Sequence, residues 1–150
     1  MTNSIADVVN NKTDLFFMIG SNPDTSHPTI GLRIHQALDK GAKLVVVDPR
    51  RTKLAERADL WLRIQPGTDV AFLNGLMHII IKEDLWDKQF VAERTEDFDE
   101  LQELVEKYPP ELVAEITGLT VAELEQAARM YAAPGRNAVY HGMGITHYHT

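Results

Sequence analysis

Cysteine is absent from the 150 residues. That removes disulfides, thiolate zinc sites, iron–sulfur ligation and thiol nucleophiles from the chemistry of this stretch, so any redox centre it serves lies elsewhere. Long apolar runs are missing as well. The longest, such as Leu15-Phe16-Phe17-Met18-Ile19 and Leu44-Val45-Val46-Val47, fall far short of the roughly 20 residues that span a bilayer, and no membrane insertion is expected. The opening Met1-Thr2-Asn3-Ser4-Ile5-Ala6-Asp7 has neither the basic nor the apolar segment of a secretory leader. Positive charge is in deficit, with 15 Lys and Arg against 22 Asp and Glu and a net charge of −7, which disfavours nucleic acid and anionic membranes as partners. What is there, 44% hydrophobic and 25% charged residues, is the composition of an ordinary globular domain able to bury one core. No internal repeat, low-complexity segment or flexible linker interrupts it.

The order of patterns predicts an α/β fold, a Rossmann-like parallel sheet with flanking helices. Leu15–Ile19 is a continuous apolar run stopped by Gly20 and Pro23, as for a strand buried on both faces. A loop from Gly20 to Pro28 follows, then a helix carrying Ile30, Ile34, Ala37 and Leu38 up to Gly41. Leu44–Asp48, closed by Pro49, completes a βαβ unit with a right-handed crossover. A short helix over Thr52–Ala58 and a third strand near Leu60–Ile64 extend it. Gln65-Pro66-Gly67-Thr68-Asp69 reads as a turn in which Thr68 or Asp69 caps a helix through Val70, Leu73, Leu76, Met77 and Ile80.

From about 85 to 133 the chain turns acidic and helical, an insertion within a single α/β domain spanning 1–150. Leu101, Leu104 and Val105 form one apolar face there. Thr120-x-x-Glu123 is a capping-box pattern ahead of a Val121, Leu124, Ala128, Tyr131 stripe. Ala138-Val139-Tyr140 reads as a last strand and Gly142-Met143-Gly144 as its exit loop.

In an open parallel sheet, ligands sit beyond the carboxyl ends of the strands, so the loops after the first three strands are considered together. Gly20-Ser21-Asn22-Pro23 precedes a helix N-terminus, where free N–H groups favour a phosphate; it lacks the G-x-G-x-x-G spacing and reads equally as a plain turn. Asp48-Pro49-Arg50-Arg51 sets a carboxylate able to accept from a ribose hydroxyl beside cations; taken singly, it is a strand stop followed by solvated charges. Gly67-Thr68-Asp69 offers a carboxylate that can accept two hydrogen bonds from guanine, or serve only as a cap. Three such loops on one edge outweigh any one.

The six histidines form no metal-ligand frame. His147-x-His149 puts two imidazoles on one side of an extended segment without a carboxylate or thiol nearby, and His35 and His78 fall within helical patterns as surface or satisfied core residues. No nucleophile elbow or Ser-His-Asp order supports a hydrolase.

The ordered strings Gly20-Ser21-Asn22-Pro23 with His27-Pro28, Asp48-Pro49-Arg50-Arg51-Thr52, Ala58-Asp59, Pro66-Gly67-Thr68-Asp69-Val70-Ala71 and Gly142-Met143-Gly144-Ile145-Thr146 resemble the molybdopterin oxidoreductases. Within that family the chain looks most like formate dehydrogenase catalytic subunits, and Glu93-Arg94-Thr95-Glu96, Glu115-Ile116-Thr117-Gly118 and Ala127-Ala128-Arg129-Met130-Tyr131-Ala132 strengthen the likeness. The resemblance spans essentially the whole chain. It implies a fragment of a longer, multidomain protein that oxidises formate to carbon dioxide, with a [4Fe–4S] cluster and the molybdenum or tungsten ligand upstream. The fragment alone is then expected to be inactive.

The cofactor implied is a bis-molybdopterin guanine dinucleotide carrying Mo or W. By the resemblance, Gly20, Ser21, Asn22 and Ser26 hold its pyrophosphate or nearby groups, Asp48, Pro49 and Arg50 meet the guanosine, and Gly67 with Asp69 completes the guanine pocket. Met143 and Gly144 match the loop that approaches the pterin, while His147 stands where the family usually has Gln. No catalytic or metal-ligating residue of the family falls on this chain. Partners implied are formate, the remaining domains of the alpha subunit and electron-transfer subunits, in the cytoplasm, with the periplasm left open. Two alternatives stand beside this: a fragment of a non-catalytic relative such as the large iron–sulfur subunit of respiratory NADH dehydrogenase, and a stand-alone nucleotide-binding module. The intact polar loops speak against the first.

Overall fold

The computed structural model describes residues 13–147. The readings of Met1–Asp7 and of His149 lie outside the described residues. Two compact units divide the chain: 1–67 with 134–150, and 68–133 between them.

The first unit holds the sheet. Strands β1 (Leu15–Ile19), β2 (Lys43–Val47), β3 (Leu60–Leu62) and β4 (Asn137–His141) are all parallel, in the order β3-β2-β1-β4. The continuous apolar runs arise because β1 and most of β2 are buried on both faces. Helices α1 (Pro23–Ser26), α2 (Pro28–Leu38) and α3 (Lys53–Arg57) follow β1 and β2. Ile34, Ala37, Leu54 and Ala55 from these helices pack on Phe16, Met18, Leu44 and Val46, giving one core cluster. At the sheet edge β4 alternates exposed and half-buried residues, Val139 being 50% exposed. Strand order reverses between β1 and β4, the place where a crevice opens in sheets of this type. A last short helix, α9 (Met143–Thr146), follows β4.

The second unit is helical: α4 (Asp69–Lys82), α5 (Lys88–Arg94), α6 (Phe98–Val105), α7 (Pro110–Thr117) and α8 (Val121–Ala132). Helix α4 packs against α6, α7 and α8. A Cβ on Gly75 would meet the Val113 methyls at 2.8 Å, so this glycine is what lets α7 lie close. Arg129 of α8 grips Glu83 through Nε at 2.9 Å and Nη2 at 2.6 Å. The Thr120–Glu123 capping box forms as expected.

Several local expectations need correction. The Gly20–Pro28 loop contains α1, a single turn opened by Pro23, and the Gly142–Gly144 exit loop runs straight into α9. Strand β3 ends at Leu62, and the helical unit starts at Thr68, well before 85. Leu104 faces solvent and Tyr131 is exposed; Val105, Leu124 and Ala128 are the buried members of their stripes.

Candidate functional site

In a parallel sheet every strand delivers its following loop to the same edge, so the loops after β1, β2 and β4 leave the first unit on one side. The chain leaves β1 through Gly20, whose φ of 56° is left-handed. Its N–H bonds the Val47 carbonyl at 3.0 Å, continuing the β1–β2 ladder by one rung. The Asn22 carbonyl then takes the N–H groups of Thr25 and Ser26 and the Ser26 hydroxyl, each at 3.1 Å. The Asn22 side-chain NH2 donates to the Thr25 hydroxyl at 3.1 Å, while its Oδ1 is buried with no hydrogen-bond partner. Such an orphan acceptor is costly unless a ligand or water completes it. Ser21 is half-buried beside it, and Ser26 is exposed.

Asp24 ties this loop to the helices behind it. Its Oδ1 lies 3.0 Å from His35 Nε2, and His35 Nδ1 lies 2.9 Å from Arg57 Nη1. Arginine can only donate, so Nδ1 accepts and Nε2–H donates to Asp24. His35 is thus a satisfied histidine joining α1 to α3.

The second loop is built around Asp48, which is 1% exposed. Its N–H donates to the Leu62 carbonyl at 3.2 Å. The carboxylate accepts from Arg50 three times: from the backbone N–H at 2.8 Å, from Nε at 3.2 Å and from Nη2 at 3.3 Å. The carboxylate expected to meet a ribose is therefore turned inward onto Arg50, whose side chain remains 70% exposed. Asp48 supplies the hydrogen bonds and charge that push the Arg50 guanidinium above its ordinary pKa, keeping it cationic. Pro49 is half-buried, and Thr52 caps α3 by accepting from Ala55 N–H at 3.1 Å.

Gly67, with φ of 85°, closes the first unit's run of loops. Thr68 is the N-cap residue of α4 but its side chain makes no cap hydrogen bond, and Asp69 is the first residue of the helix rather than its cap. A carboxylate there is favoured by the helix dipole.

After β4, Gly144 N–H donates to the Gly20 carbonyl at 3.2 Å. A Cβ on Gly142 would stand 2.7 Å from that same carbonyl. The structure thus brings the β1 and β4 loops into contact at the strand-order reversal. Met143 is 69% exposed, and exposed His147 is the C-cap of α9, so it does not sit on an extended segment. Among the described residues no group of three His, Cys, Asp or Glu side chains could hold a metal ion. Sequence reasoning missed Trp61, whose indole N–H bonds the Asp48 carbonyl at 2.9 Å. The available signal was a tryptophan inside a strand, since a half-buried indole has to find an acceptor.

A family model described as Molybdopterin oxidoreductase matches residues 1–149. Formate dehydrogenase H from Escherichia coli (strain K12) is 44% identical over 149 residues, which cover 99% of this chain and 21% of that protein. The F420-dependent formate dehydrogenase subunit alpha of Methanocaldococcus jannaschii is 43% identical over 148 residues, covering 99% of this chain and 22% of that one. Among solved structures, acetylene hydratase from Pelobacter acetylenicus superposes with a TM-score of 0.80 at 35% identity, over 93% of this chain and 21% of that chain. The chain therefore spans about a fifth of the length of these relatives.

Proposed function

This chain belongs to the molybdopterin oxidoreductase family, and from that premise we propose that it holds the guanine dinucleotide arm of a molybdopterin cofactor within a formate dehydrogenase. The observation that carries the reading is the edge formed by the β1, β2 and β4 loops, where a buried amide oxygen without a partner lies in one loop and a fixed, exposed guanidinium in another. These residues fit the group. Arg50 and the Ser21 hydroxyl are donors for phosphate oxygens. The orphan Asn22 Oδ1 is an acceptor, suited to a sugar hydroxyl or an amino group beside the phosphates rather than to the phosphates themselves. Asp48 acts by holding Arg50. Gly20 and Gly144 keep two loops close enough to share one ligand, with Met143 and His147 next to them in α9 and its cap. Asp69 is assigned to guanine from the resemblance, as a carboxylate able to take two hydrogen bonds.

When bound, the cofactor supplies two-electron redox chemistry at its metal end. The work of this chain is placement: gripping the nucleotide arm limits where the cofactor's reacting end can lie. Formate as the substrate is supported by the two formate dehydrogenase relatives, and the acetylene hydratase likeness fits a segment that binds rather than chooses the reaction.

The test is calorimetry with GDP. Asp69→Ala should weaken GDP binding by about 1.5–3 kcal/mol, the scale of hydrogen bonds to a charged group. Equal affinity for both proteins removes Asp69 from the site, and no GDP uptake by the unsubstituted chain overturns the nucleotide reading. For the parent enzyme, the flanking gene should encode cluster cysteines and a Cys or selenocysteine metal ligand upstream. Cluster cysteines without that ligand would favour the non-catalytic relative.

A further inference from the structure

We propose that Trp61 is a positioning residue that fixes the Asp48–Arg51 loop and, through it, the Arg50 guanidinium. The inference rests on the nucleotide reading above and deepens it. Trp61 occupies the middle of β3 and is half-buried. Its indole N–H donates to the Asp48 carbonyl at 2.9 Å. The Arg51 guanidinium lies 6.0 Å from the centroid of the same ring, within cation–π range. One side chain therefore holds the loop on both sides of Arg50.

The other restraints on the loop do not replace it. Arg51 has an ion pair with Glu56 at 3.8 Å, but both side chains are more than half exposed, a geometry that holds little. The Asp48 carboxylate fixes Arg50 directly, and β3 pins the Asp48 backbone at both ends: the Leu62 carbonyl takes its N–H at 3.2 Å, and the Trp61 indole holds its carbonyl, the end from which the loop continues to Arg50. Burial alone would be met by another aliphatic residue like Leu60 or Leu62. Only a side chain with a ring and an N–H serves both the carbonyl and the cation. The consequence is a long, exposed arginine that has given up rotamer freedom before any ligand arrives, the condition under which a binding group holds its ligand most tightly.

The experiment uses the full chain, with amide and indole exchange followed by NMR and GDP binding by calorimetry. In the unsubstituted protein the Trp61 indole proton should exchange several-fold more slowly than that of Trp86, roughly the protection a lasting hydrogen bond confers; equal rates overturn the proposal. Trp61→Phe keeps a ring and deletes the donor. It should speed exchange at the Arg50 and Thr52 amides roughly tenfold, leave the β1 amides unchanged, and weaken GDP binding about tenfold. Arg51→Met, which deletes only the cation, should give a smaller change in the same direction. Unaltered exchange at Arg50 and Thr52 overturns the positioning role; faster exchange with unaltered GDP affinity severs that role from the ligand. If the unsubstituted chain takes up no GDP, the nucleotide reading falls, and the exchange rates alone decide whether Trp61 holds the loop.

Discussion

Gly144 and Gly20 meet backbone to backbone: a Cβ built on Gly144 would stand 2.7 Å from the Gly20 α-carbon and 2.8 Å from its carbonyl oxygen. Neither neighbour is a side chain that can swing away. Gly144→Ala should therefore cost about 1–3 kcal/mol, as overpacking does elsewhere, read as a lower urea midpoint. A variant as stable as the parent would mean that the two loops part freely.

Gly31 lies inside α2, where alanine normally stabilises a helix by about 0.5–1 kcal/mol. Here the sign should reverse, because a Cβ at Gly31 would meet Asp24 Oδ1 at 2.5 Å and the Asp24 backbone at 3.1 Å. Gly31→Ala is expected to lose about 1–2 kcal/mol and to disturb the Asp24–His35 bond. Adding Asp24→Ala should recover part of that loss in a double-mutant cycle. Additive losses would show that the two positions do not interact.

Asp48→Asn preserves shape and removes the charge that faces Arg50. The residue is buried and accepts three bonds from Arg50, so a loss of about 1–3 kcal/mol in chemical denaturation is expected. A change smaller than about 0.5 kcal/mol, the size of an ordinary surface substitution, would show that the enclosed carboxylate is dispensable for the fold.

Stability should also fall in acid through Asp59. Burial pushes its carboxyl up, but the Lys43 hydrogen bond, the Leu44 N–H and the Lys43 charge together outweigh that and hold it below the ordinary value. A depressed folded pKa gives stability that is complete above the unfolded carboxylate pKa, near 4, and is lost as pH falls through the folded value. Asp59→Asn should accordingly be less stable than the parent at pH 7, with the gap narrowing as the pH falls below about 4. A gap that stays constant across that range would rule Asp59 out as the source. Glu83, held low by its hydrogen bonds to Arg129, contributes in the same direction.

Much of the fold is legible because parallel strands buried on both faces leave continuous apolar runs, as Leu15–Ile19 and Leu44–Val47 do. The capping box at Thr120 is equally local. What is not legible depends on distance or on exact backbone angles. Helix α1 is one turn long, too short for any period. Thr68 has the chemistry of a cap, yet its φ of −107° and ψ of 14° lie outside the extended region a capping residue adopts. The Asp48 carboxylate reads as free for a ligand because nothing in the order of letters says that Arg50 folds back onto it. The touching of Gly20 and Gly144 is invisible for the same reason.

The β1–β4 pairing has a consequence for synthesis. Next to it, Arg136 N–H bonds the Asp14 carboxylate across 122 residues of chain. At the ribosome's usual pace of about 5–20 residues per second, one edge of β1 waits on the order of 6–25 seconds for its partner. The waiting segment is Leu-Phe-Phe-Met-Ile, uncharged and rich in bulky apolar side chains, while the intervening helices can form as soon as they emerge. Chains cut short before Asn137 would keep that edge open for good. Slower translation prolongs the exposure.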